Sequence, residues 1–332
     1  AAGKVVKLDG NAKLPAVSGA ALTGVVGATK NASDPTISTN PSGGVGTEWQ
    51  NTTSGNVFVC TDATAGENVW TNVGGQSGDV QPYRHGGELK GFTMCGLAGG
   101  DAVNNTIDSF SFASDGNAVD HGDMAQIGGH QFLGAGTTSG TYGYKAGASP
   151  AVTDIGKFAV ASTGNSTDVG DLTEAKAEAS GISSADYGYA AGSNTGTQNV
   201  IERWAFASDG NSSDVGDTVS AVYYRFGSST AGYGYLAGGT PDSGQTTAIE
   251  KFATASSANG VAITGVLTVG RADVIEPGWA SLTHGYAAGG DPSSSNVIDK
   301  YSFSTEANAT DVGDLTAGGY GLGGQCSLTY GY

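Results

Sequence analysis

The chain has 332 residues, 57 of them glycine, with 14 basic against 31 acidic side chains and a net charge of −17. Glycine stands at more than twice its usual share of about 7%, yet no Gly-X-Y period accompanies it, which excludes collagen. With no basic stripe to follow a phosphate backbone or an anionic bilayer, neither nucleic acid nor membrane insertion is expected.

In chain order, Lys7–Gly19 is too short and too glycine-interrupted for a stable isolated helix. Ala32–Gly44, with Pro35 and Pro41, reads as loop. Gly46–Asn51, Gly55–Cys60 and Asn68–Val73 read as three strands of a small β module. Gly74–Asp79 has the composition of a flexible linker, so the module with its linker spans 26–78.

Past residue 79 the sequence repeats itself. Tyr-Gly-Tyr-x-Ala-Gly occurs at Tyr142–Gly147, Tyr187–Gly192 and Tyr233–Gly238, with a variant at His284–Gly289 and a weaker copy at Cys95–Gly100. The Ala-Gly pairs begin at Ala98, Ala146, Ala191, Ala237 and Ala288, at intervals of 48, 45, 46 and 51 residues. Each is followed by an alternating segment that starts at Ile107, Ile155, Ile201, Ile249 or Ile298, then by a turn with Asn117, Asn165, Asn211, Asn259 or Asn308. Asp-x-Gly-Asp closes four units, at Asp120–Asp123, Asp168–Asp171, Asp214–Asp217 and Asp311–Asp314, whereas the fourth unit reads Ala262-Ile263-Thr264-Gly265. A further short segment, such as Ala179–Ser184, precedes the next Tyr-Gly-Tyr.

Four short strands per 45–50 residues is the pattern of a propeller blade, in which neighbouring sheets seal each other's faces. The expected fold is all-β, with a five-bladed propeller over 79–332 and units near 92–137, 138–183, 184–229, 230–280 and 281–332. Gly321–Ser327 repeats the segment that the first unit lacks, so it is expected to complete that unit and close the ring. An open arc whose ends pair with another subunit is the rival arrangement. Closure would put Cys95 and Cys326 on neighbouring strands, where geometry decides whether they bond.

Ala287–Leu315, headed by Tyr-Gly-Tyr as in Tyr187–Tyr189, resembles kelch-type repeats. It is especially similar to glycine-rich repeats of bacteriophage structural proteins, above all those of phages of aquatic bacteria and cyanobacteria. The tryptophan usual late in a kelch blade is missing, so smaller residues must pack there. Leu8–Gly24 resembles phage fibre shaft and collar segments, and Asp34–Val73 resembles small modules along tail fibres. The resemblance implies a virion tail fibre: residues 1–25 as an attachment and shaft segment, and an exposed C-terminal head that contacts the host. It implies other virion proteins as partners, a host-surface glycan or protein as receptor, a homotrimer, and an extracellular location. A capsid decoration or head-fibre protein and a secreted bacterial surface adhesin are the alternatives.

Two groups of residues are candidate sites. Asp115, Asp120 and Asp123, and again Asp209, Asp214 and Asp217, offer clustered oxygens of the kind calcium accepts, although the spacing is not that of an EF-hand. Tight-turn chemistry accounts for the same residues without an ion. Tyr144, Tyr189, Tyr235 and Tyr286 offer rings for stacking on a glycan and hydroxyls for hydrogen bonds. Packing of blade on blade explains the same recurrence. The two tyrosines of each Tyr-Gly-Tyr are expected on opposite faces, so that both cannot line one site. His85, His121, His130 and His284 form no spaced metal pair, and neither a nucleophile elbow nor a phosphate loop occurs. A non-enzymatic protein without cofactor is expected.

Overall fold

The structure is a computed structural model that describes residues 27–74, 80, 90–98, 102–125, 133–196, 198–241, 244–272, 278–291, 295–319, 321, 323–327 and 330–332. The expected attachment segment, 1–25, lies outside the described residues. The described residues are all-β, and the chain divides into two compact units, Ala1–Pro82 and Tyr83–Tyr332.

The first unit holds one sheet in the order β1 (Thr29–Asn31), β2 (Glu48–Asn51), β3 (Val57–Asp62), β4 (Val69–Asn72). The three strands expected from alternation are present, and β1 joins them parallel to β2. Phe58, Cys60 and Trp70 are closed to solvent, and Trp49 meets Trp70 edge-on at 5.9 Å. The intervening loop is held by side-chain amides: Asn51 donates to Asp34 at 2.7 Å and Asn68 to the Ile37 carbonyl at 2.8 Å.

The second unit holds five sheets. The first has three described strands, β5 (Lys90–Ala98), β6 (Ala102–Ser111) and β7 (Val119–Asp123). The others have four antiparallel strands each, paired in chain order. They are β8 (Ala135–Thr138), β9 (Tyr142–Ala146), β10 (Val152–Ala159) and β11 (Thr167–Lys176); then β12 (Ser180–Ser183), β13 (Tyr187–Ser193), β14 (Gln198–Ala205) and β15 (Ser213–Asp217). Next come β16 (Phe226–Ser229), β17 (Tyr233–Ala237), β18 (Ala248–Ala253) and β19 (Val261–Val266), and last β20 (Gly278–Ala280), β21 (His284–Ala288), β22 (Val297–Ser302) and β23 (Thr310–Asp314).

These sheets set a different frame from the sequence repeat. The short segment before each Tyr-Gly-Tyr pairs forward, as Ser183 with Gly188 and Ser229 with Gly234, because a tight turn joins the two. It therefore opens a sheet instead of closing the preceding one. In the first sheet Gly91 lies opposite Phe110, just as Gly143 lies opposite Phe158. Lys90-Gly91-Phe92, not Cys95–Gly100, is the structural counterpart of Tyr-Gly-Tyr. The central glycine is required there: a Cβ at Gly143 would lie 2.2 Å from the Phe158 ring, and one at Gly91 2.3 Å from Phe110.

The C-terminal segment also differs from expectation. Gln325–Tyr332 folds on itself, with Cys326 opposite Gly331 and Ser327 N–H on the Tyr330 carbonyl at 2.8 Å. Among the described residues it forms no backbone ladder with β5. Instead the Gln325 side-chain amide bridges the Phe92 backbone, accepting its N–H at 2.8 Å and donating to its carbonyl. Cys95 and Cys326 are not joined by a disulfide.

Consecutive sheets are joined by the residues that recur. Asp-x-Gly is a β-bulge: the Asp168 carboxylate accepts the Gly170 N–H at 3.2 Å, and Asp214 and Asp311 do the same for Gly216 and Gly313. The glycine then lets the next sheet approach. A Cβ at Gly122, Gly170, Gly216 or Gly265 would lie 2.2–2.5 Å from the carbonyl of Gly164, Gly210, Ala258 or Ala307. The closing Asp donates its N–H to the next turn's Asn, as Asp123 to Asn165 at 3.0 Å, Asp171 to Asn211 at 3.2 Å and Asp217 to Asn259 at 3.0 Å. Two landmarks that look like separate turn signals are thus partners across a sheet boundary.

Aromatic rings fill the same boundaries. Phe92 meets Phe158 at 5.2 Å, Tyr144 stacks on Phe206 at 5.0 Å, Tyr189 meets Phe252 at 5.3 Å and Tyr235 meets Phe303 at 4.6 Å. Small residues such as Ala146, Ala191 and Ala237 complete the packing.

Buried ion pairs lie beneath the rings. Glu202, Glu250 and Asp299, each on the third strand of its sheet, pair with Lys176 at the end of β11 and with Arg225 and Arg271 from the connections into the fourth and fifth sheets. Each carboxylate also accepts an N–H from the end of the preceding sheet: Thr173 within β11, or Val219 and Thr268 just after β15 and β19. Burial pulls Lys176, Arg225 and Arg271 below their ordinary pKa values, while the partner carboxylates oppose that shift.

Candidate binding surface

Tyr142 and Tyr144 are two residues apart on one strand, so period-two alternation puts them on the same face. The rings of Tyr187 and Tyr189 stand 6.5 Å apart, as do those of Tyr233 and Tyr235. The expectation of opposite faces is therefore overturned. What separates the two is depth along the strand: the second ring lies under the next sheet, and the first sits at the turn, where the boundary opens.

This reverses the choice of candidate tyrosines. Tyr144, Tyr189 and Tyr235 are only 1–2% exposed, so a glycan cannot stack on them. The Tyr189 hydroxyl donates to the Thr254 carbonyl at 2.7 Å, and burial pushes the Tyr235 hydroxyl up to about 12. Tyr286 is half-buried and lies flat on Trp279, with centroids 5.7 Å apart and planes 5° from parallel.

The outward rings are Tyr142, 37% exposed, Tyr233, 43% exposed, and the half-buried Tyr187. Each carries a cation from the third strand of its own sheet: Lys157 lies 4.8 Å from the Tyr142 centroid, Arg203 4.4 Å from Tyr187 and Lys251 4.8 Å from Tyr233. The pairing follows from register, since Lys157 lies opposite Tyr144 and therefore diagonal to Tyr142. Two of these cations reach on to the next sheet's turn, Lys157 to Asp209 at 2.5 Å and Lys251 to Glu306. At the place corresponding to Asp209 the fourth sheet has Ser257, so Arg203 carries no such acid. In the fifth sheet His284 replaces the tyrosine, and its pKa is lowered by burial and by Lys300.

The result is a group of ring, cation and carboxylate on the second and fourth sheets, with the ring and cation repeated on the third. An exposed ring edge beside a hydrogen-bonding cation and acid suits a sugar, whose C–H face stacks while its hydroxyls bond. The signal was available in the sequence: the first tyrosine of each pair starts its strand, next to a turn.

The aspartate clusters do not assemble an ion site. Among the described residues no three His, Cys, Asp or Glu side chains converge on a point a metal could occupy. Asp209 is engaged by Lys157, and Asp214 caps its own bulge. Asp123 and Asp217 use their N–H groups on the next turn, while Asp115 and Asp120 lie exposed. Bulge capping engages Asp214 and an ion pair engages Asp209, so neither carboxylate is left to a shared ion.

A small cleft lies between the first two sheets, lined by Met124, Lys145, Asp154, Gly156 and Asp168 among others. Lys145 is buried and donates to the Gly147 carbonyl at 2.9 Å. Burial, with Asp168 and Asp171 nearby, raises the Asp154 carboxyl above its usual range. No protein-family model and no curated protein matches this chain.

Proposed function

We propose that this protein is a non-enzymatic virion fibre component, in which residues 90–332 form a propeller-like head that attaches to the host surface by repeated weak contacts. In this reading the five sheets and the C-terminal hairpin stand around a common axis, and the N-terminal residues anchor the head to other virion proteins. The observation that carries the binding role is the recurrence of one exposed ring–cation pair, Tyr142–Lys157, Tyr187–Arg203 and Tyr233–Lys251, on three sheets. Sites repeated at fixed spacing convert millimolar contacts into useful avidity, especially when the head itself is present in several copies. The resemblance of both halves of the sequence to fibre segments supplies the virion context.

The test is an array of bacterial surface glycans and whole-cell binding, with the full chain and a Tyr142→Ala/Tyr187→Ala/Tyr233→Ala variant. Binding to a restricted set of glycans or cells, lost in the triple variant with its melting temperature unchanged, is the expected result. Equal binding by both proteins would remove these tyrosines from the function. No binding by either would favour a decoration role.

A further inference from the structure

The contacts that join one sheet to the next occur four times, and a fifth copy is half made. Among the described residues the outer face of the fifth sheet has no partner. Val312 is 51% exposed, whereas its counterparts His121, Val215 and Ile263 are 1%, 6% and 8% exposed beneath the following sheet. Gly313 keeps the extended positive φ of its counterparts, +155° against +148° to +156° at Gly122, Gly170 and Gly216, and caps the same bulge with Asp311. Yet among the described residues nothing lies within 4 Å of a Cβ placed there, where four other glycines meet a carbonyl at 2.2–2.5 Å. Tyr286 shows the same vacancy at the ring level: it rests on Trp279 of its own sheet, not on an aromatic of the next.

The C-terminal hairpin supplies the inner half of what is missing. Its turn repeats the others, with Ser327 N–H on Tyr330 O as Ser281 N–H is on His284 O. Gly331 lies against Trp279 of the fifth sheet, as Gly234 lies against Ile182 of the third. Tyr332 stacks on Phe112 of the first sheet at 5.0 Å and 25°, matching Tyr144 on Phe206 at 5.0 Å and 26°. The hairpin therefore stands between the fifth sheet and the first, as the first two strands of a sixth sheet. Gly91, Gly143, Gly188, Gly234 and Gly285 each lie under an aromatic of their own third strand, and Gly331 has none among the described residues.

We infer that this position takes a two-stranded β segment built on the repeat's own pattern, added to the Tyr330–Tyr332 edge as a third and fourth strand. Continuity with four filled copies fixes its chemistry. It carries an apolar–acid–cation–aromatic strand whose aromatic covers Gly331 and Tyr286. Its turn is Gly-Asn or Ala-Asn, with the small residue's carbonyl seated on Gly313 and the Asn taking the Asp314 N–H. The inference rests on contacts between sheets and is independent of the host-binding reading.

The test appends a second copy of Ala287–Leu315 after Tyr332 of the full chain, beside an extension of scrambled sequence. Expected are protection of the added strands and of residues 310–314 from hydrogen exchange, and a melting temperature higher by on the order of 5 °C. Gly313→Val or Val312→Asp in the extended protein should abolish both gains, and Val312→Asp in the parent should leave its melting temperature unchanged. An added segment that stays unprotected and protease-sensitive, with no gain over the scrambled control, would overturn the inference. So would a parent chain that dimerises with concentration through this edge and loses the dimer on Val312→Asp, since a second copy would then be the occupant.

Discussion

Removing one partner of a buried ion pair should be far more damaging than removing both. Arg225 and Glu250 are almost fully buried, the carboxylate also accepts the Val219 N–H at 2.9 Å, and the guanidinium donates to the Leu236 carbonyl at 3.0 Å. Glu250→Ala strands a buried cation and an N–H group at once. Breaking such a pair costs about 3–5 kcal/mol, of which the orphaned N–H is about 1–3. At roughly 2–4 °C per kcal/mol for a unit of this size, melting should fall by roughly 6–20 °C. In Glu250→Leu/Arg225→Met no charge is left behind, and stability should recover to the cost of the orphaned Val219 N–H, about 1–3 kcal/mol below the parent. Urea unfolding followed by tryptophan fluorescence, with calorimetry as a second probe, measures both. A loss below about 1 kcal/mol in the single variant, or a double variant as unstable as the single, would show that the pair is not the desolvated staple described here.

Three further outcomes follow from the same boundaries. Tyr144→Ala should lose about 3–5 kcal/mol as a core aromatic, whereas Tyr142→Ala should stay within about 0.5, which urea titration of the two variants distinguishes. Gly170→Ala drives a methyl against the Gly210 carbonyl at a positive φ and should destabilise by at least about 1 kcal/mol in the same assay. Alkaline unfolding should carry a contribution from Tyr235, whose folded form holds its proton up to about 12 against an ordinary value near 10. The folded state binds the extra proton between those values, so stability is whole below pH ~10 and declines by on the order of 3 kcal/mol as pH rises through 12. Tyr235→Phe should remove that share of the decline, read from melting temperatures between pH 9 and 12.

Much of the architecture is legible in the sequence because each sheet must repeat the same local devices. Alternation around Ile155, Ile201, Ile249 and Ile298 marks the third strands, and the turns bound them. The frame of the sheets is less legible. A strand such as Ser180–Ser183 lies between two Tyr-Gly-Tyr strands in the sequence, and only the short turn to Tyr187 decides which it joins. The first sheet is obscured because Phe92 and Met94 stand where other units have Tyr and Ala, so that Leu97-Ala98-Gly99 is the better match in letters. The candidate site was misread for a different reason. Tyr142 and Tyr144 share a face, and what distinguishes them is whether the next sheet covers the ring, which is a tertiary fact. The Asn and Asp-x-Gly-Asp landmarks were visible as turns, but their pairing across 40 or so residues, as in Asp171 with Asn211, is set by the stacking of sheets.

The boundary between the first and second sheets is a natural counterpart of the Glu250 double variant. Where the later sheets carry Glu202, Glu250 and Asp299, the second carries Gly156, and the buried Lys145 nearby donates to the Gly147 carbonyl. The vacated volume is taken by Met124, whose terminal methyl would lie 2.6 Å from a Cβ at Gly156 and which is itself only 3% exposed. An unbranched, polarizable side chain is well suited to a space shaped for a carboxylate and its partners. Backbone bonds at this boundary persist, with Gly164 N–H on His121 O and Ser166 N–H on Asp123 O, both at 2.8 Å. The ladder between sheets is therefore separable from the ion pair beneath it, and either an apolar plug or a paired charge can fill the same position. Met124→Ala should then cost about 2–5 kcal/mol, as a large-to-small change in a packed core, and the loss should be independent of salt. A loss below about 1 kcal/mol would mean that the methionine fills no space the boundary depends on, and that the first two sheets are held by their backbone bonds and the Phe92–Phe158 contact alone.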